Sequence, residues 1–220
     1  MLNQHVFNKL EISDIEFKKI KNIIFDLGGV IINISYQRAL NAFIKLGFND
    51  FDIIYSQIKQ THLFDLLETG KIHPQAFCNE LRKFKNNLSD EDIKQAWSSM
   101  IVDMPPENIP LLKAVRKNYN TYLLSNTNAI HINYFNEYLA ESFGNNPLSE
   151  MFDKLYYSHE INQRKPDAAS YQTVLTDSAL IPGETLFIDD LYSNIIGAQK
   201  LGIHAYHLEN EQISDLFDLS

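Results

Sequence analysis

Apolar residues along the chain follow two rhythms. The first appears at Asn22-Ile23-Ile24-Phe25-Asp26, a β-branched and aromatic run that stops at a carboxylate and is followed by Gly28-Gly29. It reads as a buried strand, and Val30–Ile34 reads as a second short strand by the same criterion. From Tyr36 to about Trp97 the spacing changes to three and four: Leu40, Phe43, Ile44; Phe51, Ile54, Tyr55, Ile58; Phe64, Leu67; Phe77, Leu81, Phe84. That period predicts amphipathic helices, one of them opening on the acidic stretch Ser89-Asp90-Glu91-Asp92.

After Met104-Pro105-Pro106 the pattern alternates. Helices are predicted near 107–117, 130–143, 168–176 and 193–201, interleaved with strands at 121–124, 154–157, 184–189 and 203–206. Continuous apolar strands with helical crossovers imply a parallel sheet covered on both faces. The expected fold is therefore α/β, with a Rossmann-like core at 22–34 and 106–220. A helical insertion at 35–105 follows the first strand, and an N-terminal extension covers 1–21. In that extension Val6, Leu10, Ile12 and Ile15 oppose charged positions, which suits a short docked element.

Composition narrows the function. In 220 residues, 45% apolar and 21% charged, there are only 8 glycines and 7 prolines, which is globular usage. The net charge of −9 opposes nonspecific binding to nucleic acid or to anionic lipid. The single cysteine, Cys78, excludes an intrachain disulfide and a multi-cysteine zinc site, and it reads as a packed small residue. No apolar run reaches a membrane span, and Met1–Lys21 lacks the apolar stretch of a signal peptide, so a soluble cytoplasmic protein is expected.

In open parallel sheets, ligands bind outside the carboxyl ends of the strands. The residues expected there are Asp26, Ser125-Asn126 and Asp189-Asp190, with Arg164-Lys165-Pro166 after the third strand. Carboxylates without sulfur or clustered histidines suit a hard cation such as Mg²⁺, and a lysine beside them suits a phosphoryl oxygen or a carboxylate. Each residue also has an ordinary reading. Ser-Asn and Asp-Asp after a strand often cap the next helix, and Lys-Pro alone is common. The ordered combination is what carries information.

That combination resembles the haloacid dehalogenase superfamily: Phe25-Asp26-Leu27-Gly28-Gly29-Val30, Leu124-Ser125-Asn126-Thr127-Asn128, Arg164-Lys165-Pro166-Asp167, and Phe187-Ile188-Asp189-Asp190 with Asn194, Gly197 and Gly202 beyond. Within it the chain is similar to members with a small helical cap, notably bacterial sugar-1-phosphate phosphatases. The resemblance implies a Mg²⁺-dependent phosphatase for a small phosphorylated metabolite, working as a monomer or homodimer. Asp26 would be the nucleophile that forms an aspartyl-phosphate. Ser125 and Asn126 would bind the phosphoryl group, and Lys165 would neutralise charge. Asp26, the Gly28 carbonyl, Asp189 and Asp190 would hold the metal. The residues His62, Asp65 and Glu68, ahead of the turn at Thr69-Gly70, would be the cap's contribution to specificity. Their ordinary reading is a solvated helix face. His131, just past Ser125, is placed to approach the pocket.

One departure stands out. Phosphatases of this superfamily usually carry a second Asp two residues after the nucleophile, as general acid and base; here that position is Gly28. Such help contributes roughly 10²–10⁴-fold, far below the total acceleration of phosphate-ester hydrolysis. The chain can compensate with a good leaving group such as an anomeric phosphate, with a cap residue that supplies the proton, or by accepting slow turnover. Two other functions stay open: a non-catalytic phosphoryl-binding scaffold, which the Gly28 replacement favours, and a haloacid dehalogenase, which retention of Asp189-Asp190 opposes.

Overall fold

A computed structural model describes residues 19–48, 62–144 and 148–217. The predicted N-terminal pattern at Val6–Ile15 and the helical positions Phe51, Ile54, Tyr55 and Ile58 lie outside the described residues.

Five strands form one parallel sheet: β1 (Asn22–Phe25), β4 (Asn120–Ser125), β5 (Lys154–Tyr157), β6 (Thr185–Asp189) and β7 (His204–His207), in the order β5-β4-β1-β6-β7. β1 is central and fully buried, because alternate side chains enter cores on opposite faces of the sheet. Ile23 and Phe25 pack with Leu112 and Val115 of α5 (Asn108–Arg116) and with Phe135 and Leu139 of α6 (Ala129–Phe143). Ile24 packs with Tyr171 and Val174 of α9 (Ala168–Asp177) and with Ile195 and Ala198 of α10 (Tyr192–Gln199). The remaining short helices are α7 (Leu148–Met151), α8 (Ser158–Ile161) and α11 (Ile213–Leu216).

The second predicted strand is a correction. Only Asn33–Ile34 is extended (β2), while Val30 and Ile31 lie in a turn. Gly29 has φ +78, and the N–H groups of Ile31 and Ile32 both donate to the Leu27 carbonyl, so the chain reverses directly after β1. Val30 and Ile31 are apolar because this turn is buried, not because it is extended.

β2 pairs antiparallel with β3 (Ile101–Asp103), and the Ser35 N–H donates to the Met100 carbonyl at 2.7 Å. This pair is a separate two-stranded sheet, so the helices between its strands leave and rejoin the core at adjoining points. They are α1 (Tyr36–Lys45), α2 (Leu63–Glu68), α3 (Pro74–Arg82) and α4 (Asp90–Ser98). The acidic start predicted for α4 is a full capping box: Ser89 accepts from the Asp92 N–H, and the Asp92 carboxylate accepts from Ser89 N–H. Cys78 is buried in α3 among apolar neighbours, where burial raises its thiol pKa. No helix among the described residues is long and apolar enough to cross a membrane.

Candidate active site

The register of the sheet assembles the site. Phe25 lies opposite Leu123 on β4 and Ile188 on β6, so Asp26, one residue further, meets the ends of both neighbours. The Asp26 N–H donates to the Ile188 carbonyl at 2.9 Å, extending the ladder past the strand and fixing the Asp26 backbone beside Asp189.

Lys165 enters from the loop after α8. Its side chain is 1% exposed, and Nζ lies 2.7 Å from Asp26 Oδ1 and 2.6 Å from Asp189 Oδ2. The loop is held by a reciprocal pair: Asn126 Nδ2 donates to the Lys165 carbonyl, and Lys165 N–H donates to Asn126 Oδ1, both at 2.8 Å. The Asn126 side chain is thus committed to positioning Lys165, which leaves its backbone as the part available to a phosphoryl group. Ser125 is buried at the end of β4 and is not the helix cap. That place belongs to Asn128, whose Oδ1 accepts from the N–H groups of Ile130 and His131.

Asp189 is fully buried and heavily bonded. Besides Lys165, it accepts from Leu191 N–H at 2.8 Å and from Asn194 Nδ2 at 2.9 and 3.0 Å. Asp190 is partly exposed and leans over Gly29, where a Cβ would overlap its Oδ2 and stand 2.8 Å from its Cγ. One carboxylate oxygen from each of Asp26, Asp189 and Asp190 lies within 4.8 Å of the others. Burial pushes the Asp26 carboxyl upward against the pull of Lys165. Burial also raises Asp190, helped by the charge of Asp189. Burial alone would lower Lys165, but Asp26 and Asp189 outweigh it and the ammonium is held charged. Three carboxylates against one ammonium leave excess negative charge in a dry site, which a divalent cation would offset. The all-oxygen donor set fits Mg²⁺.

Next to this cluster is a cavity of about 90 Å³ that touches Gly28, Ser125, Asn126, Glu68, Trp97 and His131. Of the three cap residues proposed from the sequence, it takes in only Glu68; His62 is not on the helix but precedes it, with a left-handed backbone. His62 is exposed and pairs with Asp65, and Asp65 pairs outward with Arg164. Glu68 Oε2 also meets Arg164, Nη2 lying 3.1 Å away. Burial raises the Glu68 pKa, opposed by Arg164.

His131 is buried and stacks on Trp97, with ring centroids 5.1 Å apart; its Nε2 lies 3.3 Å from the Trp97 carbonyl and its Nδ1 3.1 Å from Asn128 Nδ2. Burial lowers its pKa to about 4, so near neutral pH it is an uncharged wall of the cavity. The sequence reading gave no role to Arg164, Trp97 or Asn128. Arg164 alone had a usable signal, an arginine adjoining a site lysine.

Several known proteins are similar to this chain in sequence and fold. D-ribitol-5-phosphate phosphatase of Bacteroides thetaiotaomicron is 38% identical over 192 residues, covering 87% of this chain and 93% of that protein. A haloacid dehalogenase family enzyme of the same organism, solved with magnesium and inorganic phosphate, is 36% identical with a TM-score of 0.81, covering 90% of this chain and 100% of that one. A predicted haloacid dehalogenase-like hydrolase of Porphyromonas gingivalis is 30% identical with a TM-score of 0.77, covering 88% and 93%. Residues 23–207, which hold every strand of the sheet but the first residue of β1, match the description "haloacid dehalogenase-like hydrolase", and the chain belongs to that family.

Proposed function

We propose that the protein is a Mg²⁺-dependent phosphatase that hydrolyses a small phosphorylated sugar or sugar alcohol through an aspartyl-phosphate on Asp26. The observation that carries this reading is the Asp26 carboxylate, anchored at the end of the central strand, bonded to Lys165 and within ligand distance of Asp190. Resemblance to a ribitol-phosphate phosphatase and to an enzyme solved with magnesium and phosphate supports both substrate class and metal.

Asp26 Oδ attacks phosphorus and the bond to the leaving oxygen breaks, that oxygen taking a proton from water as the alcohol departs. Water then attacks the phosphorus of the aspartyl-phosphate, releasing inorganic phosphate and restoring the carboxylate. Ser125 Oγ and the Asn126 backbone bind phosphoryl oxygens. Lys165 neutralises charge on the nucleophile and on the transferring group. Asp26, Asp190 and the Gly28 carbonyl would hold Mg²⁺, with Asp189 supporting, and the ion would screen the repulsion between an anionic nucleophile and an anionic ester. Asp189 also fixes Lys165 through the bond described above. Residues 35–105 act as a cap over the site. Their entry and exit through the β2–β3 pair, with Glu68 and Trp97 at the cavity, support that assignment.

The ribitol-phosphate relative favours a primary alkyl phosphate, whereas the absent second Asp favours an anomeric phosphate with its better leaving group. Phosphate release with Mg²⁺ from ribitol 5-phosphate, sugar 1-phosphates and sugar 6-phosphates separates these. Turnover abolished by EDTA and by Asp26→Asn is expected. Undiminished turnover by a folded Asp26→Asn protein overturns the nucleophile, and no release from any ester favours the binding-scaffold reading that Gly28 motivates.

A further inference from the structure

The cavity beside the candidate site has an uneven electrical character. Among the described residues that line it, Glu68 is the one carboxylate, and there is no lysine or arginine. His131 is neutral near pH 7. The rest of the wall is apolar, from Ile34, Trp97 and Ile101, or uncharged and polar, from Ser125, Asn126 and Thr127.

Glu68 is held in place from outside the cavity. Arg164 binds it and Asp65 together, so one guanidinium serves two carboxylates and the group keeps a net negative charge. The turn after α2 is fastened to the same region. Asn162 Nδ2 donates to the Thr69 carbonyl at 2.9 Å. Gly70, at φ +66, lies so close to α8 that a Cβ would overlap the His159 carbonyl oxygen and stand 2.9 Å from Asn162 Nδ2. The side chain of Glu68 lines the cavity and is 22% exposed, while its Oε2 is buried, lies 3.1 Å from Arg164 Nη2 and has no hydrogen-bond partner of its own. The fastening loop leads straight into Lys165, which ties the wall of the cavity to the residue that meets the phosphoryl group.

Resting on the phosphatase reading above, we propose that Glu68, oriented by Arg164, is a specificity-determining residue: it accepts a hydrogen bond from a hydroxyl of the leaving group and excludes leaving groups that carry a second anionic group. A hydroxyl donor satisfies the carboxylate, while an additional carboxylate or phosphate would meet its charge with no cation in the wall to receive it. The substrate class is therefore a monophosphate of a neutral polyol. Arg164 is a positioning residue in this scheme.

The test compares ribitol 5-phosphate with its C1-carboxylate analogue, ribonate 5-phosphate, together with 4-nitrophenyl phosphate. The wild type is expected to favour the polyol by at least about 100-fold in kcat/KM. In Glu68→Gln that ratio should shrink by about ten-fold or more, through a higher KM for the polyol and a lower KM for the acid. Arg164→Gln should erode the ratio in the same direction, and Arg164→Lys should restore part of it. A purely structural role for Glu68 would change both esters alike. If Glu68→Gln does not fold, Glu68→Asp, which withdraws the carboxylate by one methylene, is read in the same way. Asp26-dependent release from 4-nitrophenyl phosphate alongside a selectivity ratio unmoved by these variants overturns the Glu68 assignment and leaves the phosphatase standing. So does a wild type that prefers the acid or hydrolyses neither member of the pair. No Asp26-dependent release from any ester overturns the phosphatase reading itself.

Discussion

Arg164 and Lys165 are neighbours in the chain and serve opposite environments. Lys165 turns inward to two buried carboxylates, with 1% of its side chain exposed; Arg164 turns outward to Asp65 and Glu68, with 34% exposed. Inside, Lys165 is the one cation bonded to two buried carboxylates and is almost out of contact with water, so its charge cannot be lost cheaply. Outside, solvent screens the pairing, and the same kind of contact mainly orients side chains. Under the proposed function the buried sheet edge carries the chemistry and the more exposed wall carries selectivity.

The strongest way to break this comparison is Lys165→Met. It leaves Asp26 and Asp189 buried without their cation, so the expected loss is about 3–5 kcal/mol of stability, with phosphate release abolished. Urea unfolding in EDTA measures it. The deficit should shrink as pH falls, because protonating Asp26 removes an unpaired charge. A deficit below about 1 kcal/mol would mean that the inner site is not dry.

His131 sharpens the comparison at the boundary between the regions. Its folded pKa is lowered to about 4 from an ordinary 6.5, so the unfolded chain binds the proton more readily. Its contribution is fully present above pH 6.5 and is lost as pH falls toward 4, by about 3 kcal/mol. Urea unfolding across that window should show a steeper acid loss for the wild type than for His131→Gln. Equal slopes would mean that water reaches the imidazole.

Gly28→Asp tests the vacant acid position. A Cβ there would stand 3.3 Å from Ile34 Cδ1, so Ile34 must give slightly, and pairing the change with Ile34→Val relieves it. The double variant should hydrolyse alkyl phosphates about ten-fold faster, a fraction of what a fully positioned acid contributes. No gain, with the fold intact, would indicate that another group already serves.

The smallest effect is expected outside. Arg164→Gln should cost no more than about 1 kcal/mol, read by the same urea titration. A cost matching that of Lys165→Met would erase the distinction between the two regions.

Much of the inner site was legible in the sequence because Asp26, Ser125 and Asp189 stand at the ends of buried strands, and parallel register brings strand ends together. Asp26, Ser125 and Asp189 follow apolar runs that could hardly be anything but central strands. Lys165 was visible only through its neighbouring motif, since it reaches the cluster from a loop. The outer site was less legible. Asp65 and Glu68 share a helix face by spacing, and both do meet one partner, but that partner is 99 residues from Asp65 and nothing local announces it. His62 fits the same spacing and points to solvent. The Trp97–His131 stack joins two helices whose apolar patterns are each complete alone. Val30 and Ile31 misled for a related reason: burial selects β-branched residues in a turn as readily as in a strand.

The two glycines that follow Asp26-Leu27 should have opposite fates under random mutation. At Gly28 a new Cβ meets only the side chain of Ile34, so substitutions there can be sampled. At Gly29 the left-handed backbone and the carboxylate of Asp190 occupy the space of any side chain, so the same scan should find this position closed. A permissive site and a forbidden one, a single peptide bond apart, mean that evolution can retune the proton chemistry of this centre without disturbing the acidic group beside it.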